Sequence, residues 1–197
     1  MNIGRYNMDI IQRVTEYVIT AGKEYAERAS DHYDFWDNHI RFVVKEALIL
    51  ADEYGADREI VELGALLHDI ALMTKIGTRA EHHTNGKNIA DGLLSELEYP
   101  ADKKERVLNC ILHHRSSKNA ESIEELCVAD ADIIAHFDNI PMCFNSAYRS
   151  GISSVPDLID YFAGDYNDLS DRAKKLFDAR YQNIMNVLFG EFSNDRY

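Results

Sequence analysis

Histidine and aspartate carry most of the chemistry that this sequence could perform. Seven of the eight histidines lie between His39 and His136, and most stand beside an acidic residue or another histidine. His68 and Asp69 form an adjacent pair inside an apolar helical stretch. A buried ionised carboxylate is costly unless a positive group pairs with it. A divalent cation would satisfy both side chains, although hydrogen bonds to the backbone or to an arginine would also do so.

Two further segments supply partners for this pair. His39 lies in the preceding predicted helix, and antiparallel packing of two neighbouring helices can bring it opposite His68; the alternative is a surface histidine. Asp130 and Asp132 lie in an otherwise apolar helix. Residues two apart on a helix point about 200° away from each other. We therefore expect one of these carboxylates to bind the cation directly and the other to lie behind it or at the surface.

Length and charge restrict the class of protein. The chain has 197 residues and a formal net charge of −13, which fits one compact domain over residues 1–197 and disfavours a nucleic acid polymer as partner. No apolar run is long enough to cross a membrane, and no secretory signal begins the chain, so we expect a cytoplasmic protein. Three cysteines without a C-x-x-C pair indicate reduced, mostly buried thiols.

Apolar residues recur with a period near 3.6, which predicts an all-α bundle of about nine helices. The motif-bearing core spans about residues 30–140. Outside it, the first and last helices have broad apolar stripes that indicate packing in the core or in a homodimer. The predicted helices are Met8 to Ala29, Trp36 to Tyr54, Asp57 to Leu72, Gly86 to Leu97, Ala101 to His114, Ser122 to Asn139, Pro141 to Tyr148, Val155 to Phe162 and Leu169 to Phe192, with a loop over Thr74 to Asn85.

The order of these residues resembles the HD-domain superfamily of metal-dependent phosphohydrolases. His39, the His68-Asp69 pair in "LGALLHDIA" and Asp132 in "CVADADIIAHFDN" match that family's His, His-Asp and later Asp. The resemblance implies a helical fold and a metal bound by these four residues. Within the family, the second carboxylate of such a D-x-D segment is the ligand, which favours Asp132 over Asp130.

Two more segments resemble the family's additional histidine motifs. "EHHTNGKNIADGLL" and "VLNCILHHRSSK" contain the pairs His82-His83 and His113-His114. Family members with both segments can hold a second metal. Neighbouring helical residues diverge by about 100°, so we expect one ligand from each pair, His82 and His114, while His83 and His113 support the ligands or contact substrate. The alternative is that all four are surface histidines flanking a cleft.

The resemblance implies hydrolysis of a small phosphorylated metabolite or nucleotide by metal-activated water. Imidazole and carboxylate ligands suit one or two ions of Mn, Fe, Co, Ni, Zn or Mg. Asp69 is expected to take part in catalysis, and Asp130 is a candidate for removing a proton. Two other functions use the same residues: a diiron oxygenase and a non-catalytic metal or nucleotide sensor. The cations expected to bind phosphate are Lys75, Arg79, Lys87, Arg115 and Lys118.

Overall fold

The computed structural model describes residues 9–29 and 32–193, with side chains through residue 190. These residues are mainly helical and contain no β-strand, which confirms the predicted all-α class. When α3 and α4 are counted as one interrupted helix, the described residues contain nine helices, as predicted. The helices are α1 (Ile10–Arg28), α2 (Arg41–Tyr54), α3 (Arg58–Leu67), α4 (Ile70–Thr74), α5 (His82–Glu96), α6 (Ala101–His113), α7 (Ile123–Asp138), α8 (Ile140–Arg149), α9 (Val155–Asp168) and α10 (Asp171–Ser193).

Helix α7 forms the centre of the core. Val128, Ala131 and Ile134 on this helix are buried, and α7 packs against α2, α3 and α6. Removing these apolar side chains from water supplies the dominant favourable term in folding. Because α7 is surrounded by other helices, its carboxylates must lie in or beside the core, where each needs polar partners.

The first and last helices cover opposite parts of this core. Helix α1 packs on α3 and α4, and α10 packs on α9 and α7. The predicted start of the first helix at Met8 lies outside the described residues; the described helix begins after Asp9, whose carboxylate accepts the backbone N–H of Gln12 at 2.9 Å. On α10, the exposed fractions of Leu176 and Val187 are 51% and 85%. The homodimer stays a prediction.

The second predicted helix does not begin as a regular α-helix. Residues Trp36–Ile40 form a π-helical turn, and the N–H of Arg41 bonds to the carbonyl of Trp36, five residues earlier. The wider turn holds one more residue than an α-helical turn, so it rotates His39 relative to the residues of α2. Turns of this kind are rare and are found frequently at functional sites.

The predicted helix from Asp57 to Leu72 is interrupted at the His-Asp pair. Helix α3 ends at Leu67, and α4 begins at Ile70. Asp69 lies between them with φ −105° and ψ 16°, outside the helical region. The apolar periodicity continues through the interruption, which is why the sequence pattern does not reveal it. The break lies at Asp69, a candidate metal ligand.

Helix α5 begins earlier than expected. It starts at His82, after a 3₁₀ turn over Arg79–Glu81, rather than at Gly86. A Cβ atom on Gly86 would lie 3.2 Å from Ile111 Cγ2 and 3.4 Å from the carbonyl oxygen of His68. This close packing holds the first turn in place although Thr84 and Asn85 have modest helix propensity. Helix α9 is also longer than predicted, reaching Asp168 instead of Phe162.

Gly64 allows α3 to approach α6 and α7. A Cβ atom there would lie 2.7 Å from Cys110 Cβ and 3.2 Å from Val128 Cγ2. We expect Gly64→Ala to lower the free energy of unfolding by about 1–3 kcal/mol, because the packed helices must separate.

Gly92, on α5, is the matched control, since a Cβ atom there would have no other atom within 4 Å. We expect Gly92→Ala to raise stability by about 0.4–1 kcal/mol. Urea denaturation measures both, and equal effects would contradict this account of Gly64.

Candidate metal centre

Six side chains from five parts of the chain meet at one end of the helices around α7. The π turn supplies one, the break between α3 and α4 supplies two, and the start of α5, the end of α6 and the middle of α7 supply one each. Their imidazole nitrogens and carboxylate oxygens lie close together in overlapping groups, and His136 forms a further such group with His39 and Asp132. These side chains are His39, His68, Asp69, His82, His114 and Asp132.

The first group joins the π turn to the helix break and to α7. His39 Nε2 lies 3.1 Å from His68 Nε2 and 3.0 Å from Asp132 Oδ1. His68 Nε2 lies 3.7 Å from Asp69 Oδ2 and 3.7 Å from Asp132 Oδ1. The structure thus brings together His39, His68, Asp69 and Asp132, the four residues of the predicted ligand set. Asp132 is the most open of the four, with a side-chain exposed fraction of 19%.

The second group uses the other oxygen of Asp69. His82 Nε2 lies 3.3 Å from Asp69 Oδ1, and His114 Nε2 lies 3.8 Å from the same atom. His82 Nε2 and His114 Nε2 are themselves 3.0 Å apart. One carboxylate therefore faces both groups, Oδ2 toward the first and Oδ1 toward the second.

Backbone carbonyls fix the orientation of three of these rings. The Nδ1 atoms of His68, His82 and His114 lie 2.8, 2.6 and 2.7 Å from the carbonyl oxygens of the residues three positions earlier. A carbonyl oxygen can only accept, so each Nδ1 must carry the hydrogen. The Nε2 atom of a neutral ring then presents a lone pair. Metal-binding histidines in proteins usually donate their other ring N–H in this way.

The donor set fits a divalent cation. His82 and His114 direct Nε2 atoms at each other, and two lone pairs at 3.0 Å repel unless one ring takes a second proton or a cation lies among them. Burial lowers the pKa of His114 to about 4, so this ring is neutral at pH 7. Burial raises the pKa of Asp69, but the nearby His68 and His39 outweigh that effect and lower it. Neutral imidazoles and ionised carboxylates are the forms that bind metal.

The other histidine of each pair does not join this cluster. His113 Nδ1 lies 2.7 Å from Glu125 Oε2, and His83 Nδ1 is buried without a hydrogen-bond partner. Both line a neighbouring pocket. The structure thus separates the members of each pair as the helical geometry predicts.

The position of Asp130 contradicts the expectation that this residue removes a proton. Its side chain is buried, and it accepts hydrogen bonds from the hydroxyls of Ser117 and Ser170 at 2.6 Å each and from the Ser170 N–H at 2.9 Å. These bonds tie α7 to the turn after α6 and to the start of α10. Asp130 therefore has a structural role, and its position does not support removal of a proton from water.

The five predicted phosphate-binding cations differ in their partners. Lys87 pairs with Glu105, and Lys118 pairs with Asp168. Lys75 Nζ lies 4.8 Å from the centre of the Tyr25 ring. Arg115 donates to the carbonyl of Ala80 at 3.2 Å and lines the pocket beside the metal centre. Arg79 is exposed and forms no salt bridge within the described residues.

The sequence prediction missed His136 and Asp165. The His136 ring stacks on His39 with centroids 5.7 Å apart, and its Nδ1 lies 2.9 Å from Asp165 Oδ2. Burial lowers the pKa of His136, but the hydrogen bond to Asp165 and the charge of Asp132 outweigh burial and raise it to about 9. His136 lies four residues after Asp132, on the same face of α7. That spacing was a usable signal, whereas Asp165 lies in the unpredicted extension of α9.

None of the helices in the described part of the chain combines the length and the apolar character that crossing a membrane requires. The buried free cysteines, Cys110, Cys127 and Cys143, agree with the expectation of unpaired thiols.

Comparison with known proteins gives partial sequence matches. The chain is 32% identical over 98 residues to ribonuclease Y of Enterococcus faecalis and 33% identical over 98 residues to ribonuclease Y of Listeria welshimeri. Each match covers 50% of this chain and 17% of the relative. The chain therefore corresponds to a small part of these longer proteins.

Solved structures show the same fold over nearly the whole chain. An HD-superfamily hydrolase from Bacillus thuringiensis is 23% identical with a TM-score of 0.65, over 94% of this chain and 100% of that one. YpgQ from Bacillus subtilis, solved in complex with ADP, is 19% identical with a TM-score of 0.65, over 94% and 95% of the two chains. A family model for the HD domain matches residues 36–136, a range that contains all six clustered side chains. The chain belongs to the HD domain family.

Proposed function

We propose that this protein hydrolyses a phosphate ester or anhydride bond of a small phosphorylated metabolite or nucleotide, using divalent metal held by the six clustered side chains. The observation that carries the proposal is the contact between His82 Nε2 and His114 Nε2 at 3.0 Å, beside Asp69. Both rings carry the hydrogen on Nδ1, so two neutral rings in this contact repel unless a cation or an additional proton lies between the nitrogens.

We propose two metal positions that share Asp69. His39, His68 and Asp132 would hold the first ion with Asp69 Oδ2, and His82 and His114 would hold the second with Asp69 Oδ1. When bound, such ions supply Lewis acidity and lower the pKa of water toward neutrality. The nitrogen and oxygen donors suit Mn, Fe, Co, Ni, Zn or Mg and do not select among them.

Other residues at the open side of the cluster would bind and orient substrate. His39 and Asp132 keep side-chain exposed fractions of 12% and 19%, so the first group is the accessible one. Arg79 precedes His82 by three residues, forms no salt bridge with any residue that the structure describes, and can give a bidentate contact to phosphate. Asp165 holds the His136 ring beside His39. We propose that His136 helps to keep the His39 ring in place.

A small substrate fits the charge of this chain better than a polymer does. The formal net charge is −13, and the lysines that were candidates for phosphate binding are paired with carboxylates or stacked on tyrosine. A long polyanion would therefore meet repulsion outside the site. The complex of YpgQ with ADP supports a nucleotide as one candidate.

Replacement of Asp69 tests the proposed reaction. We expect Asp69→Ala to reduce hydrolysis about a thousandfold, because both metal positions lose a ligand. Release of phosphate or p-nitrophenol is measured from p-nitrophenyl phosphate, bis(p-nitrophenyl) phosphate and a panel of nucleotides. Asp102→Ala, which removes an exposed aspartate on α6, is the control and should retain wild-type rates. Circular dichroism checks the fold of both variants.

Three experimental results would change the proposed function. Wild-type rates in Asp69→Ala would contradict it. Oxygen consumption by protein containing two irons would favour an oxygenase. A nucleotide that stabilises the protein yet stays intact after long incubation would favour a sensor.

Metal removal should lower thermal stability. An ion at 100 times its dissociation constant adds about 2.7 kcal/mol to the free energy of unfolding, which corresponds to a change in Tm of about 5–10 °C for a chain of this size. We expect a chelator, which removes both proposed ions, to lower the Tm of wild type by up to about twice that amount. His82→Ala should show a smaller chelator effect, and His83→Ala the full effect. Equal responses from the two variants would contradict the assignment of His82 over His83.

A further inference from the structure

A second polar cavity lies beside the metal centre and contains none of its six side chains. It has a volume of about 430 Å³ and lies between the start of α5, the end of α6 and the 3₁₀ turn over Ser117–Asn119. This volume falls in the range of small-molecule sites. The lining residues are His83, Leu112, His113, Arg115, Ser116 and Asn119.

The lining is rich in hydrogen-bond donors. The Arg115 guanidinium has five N–H groups, of which one nitrogen contacts the carbonyl of Ala80, and it forms no salt bridge within the described residues. The Ser116 hydroxyl and the Asn119 amide can donate as well. The His83 ring also lines the cavity.

The charge of the cavity favours an anion over a cation. No carboxylate lines it. Glu125 contacts His113 from outside the lining and is occupied, since its Oε2 lies 2.7 Å from His113 Nδ1 and 2.7 Å from the Glu121 N–H. Arg115 brings a positive charge to the lining, which attracts an anion and repels a metal ion.

We propose that this cavity binds the phosphate group of a small molecule at a site separate from the metal centre. Arg115 and Asn119 would hold the phosphate oxygens, since a guanidinium matches phosphate geometry with two parallel hydrogen bonds. Leu112 would contact a non-polar part of the ligand. The ligand is either free inorganic phosphate or an organic phosphate monoester, and the proposal does not depend on which reaction the metal centre performs.

Isothermal titration of the purified protein at pH 7 with inorganic phosphate, and separately with phenyl phosphate, tests the site. We expect Arg115→Gln and Asn119→Ala each to weaken binding, the former at least tenfold. Lys118→Gln removes a positive charge three residues away, outside the lining, and should change the affinity less than twofold. Asp69→Ala, which removes the ligand shared by both metal positions, should leave the cavity's affinity within threefold of wild type. The tighter of the two titrants identifies the source of the phosphate group.

The pattern across variants decides the outcome. Loss of phosphate binding in Asp69→Ala with full binding in Arg115→Gln would place the phosphate at the metal centre and overturn the proposal. Equal weakening by Arg115→Gln and Lys118→Gln would reduce the effect to general electrostatic attraction and would also overturn it. Asn119 is exposed, and within the described residues only its backbone N–H forms a hydrogen bond, to the Ser116 carbonyl at 2.9 Å, which alanine retains; Asn119→Ala therefore keeps the test valid if Arg115→Gln is unstable.

Discussion

The carboxylate of Asp69 lies between two pairs of imidazole nitrogens, and the arrangement of the surrounding helices depends on that contact. Four Nε2 atoms point toward one buried carboxylate from four segments of the chain. Burying four imidazole nitrogens around one ionised carboxylate is unfavourable unless a cation balances the negative charge. The break between α3 and α4 places His68 and Asp69, the π turn before α2 places His39, and the early start of α5 places His82. Irregular backbone at these positions is therefore a requirement of the centre.

Helix α7 shows how one element serves both the core and the site. Asp130 and Asp132 point in nearly opposite directions from it. Asp130 binds two serines in the interior and ties α7 to the start of α10, while Asp132 faces His39. The same D-x-D spacing thus supplies a structural carboxylate and a candidate ligand. His136, one turn further on, extends the candidate face toward Asp165 on α9.

The sequence predicts the features of this arrangement that depend on local patterns. It does not predict those that depend on contacts between distant segments. Apolar periodicity predicts the helices, and helical geometry predicts that the two histidines of each adjacent pair must separate. The resemblance to the family's histidine motifs favoured His82, which faces Asp69. The helix break at His68-Asp69 and the role of Asp130 depend on packing between distant segments, which no local pattern encodes. The cavity around Arg115 was not predicted, because its walls come from three separate elements.

Metal content per chain tests the central claim most directly. Protein purified without added metal or nickel affinity resin is analysed for all first-row divalent metals and Mg, after incubation with each ion and removal of the excess. The account predicts two equivalents for wild type, one for His82→Ala, two for His83→Ala and none for Asp69→Ala. No uptake by wild type, or unchanged uptake by Asp69→Ala, would contradict the proposal that a shared carboxylate organises this centre around metal.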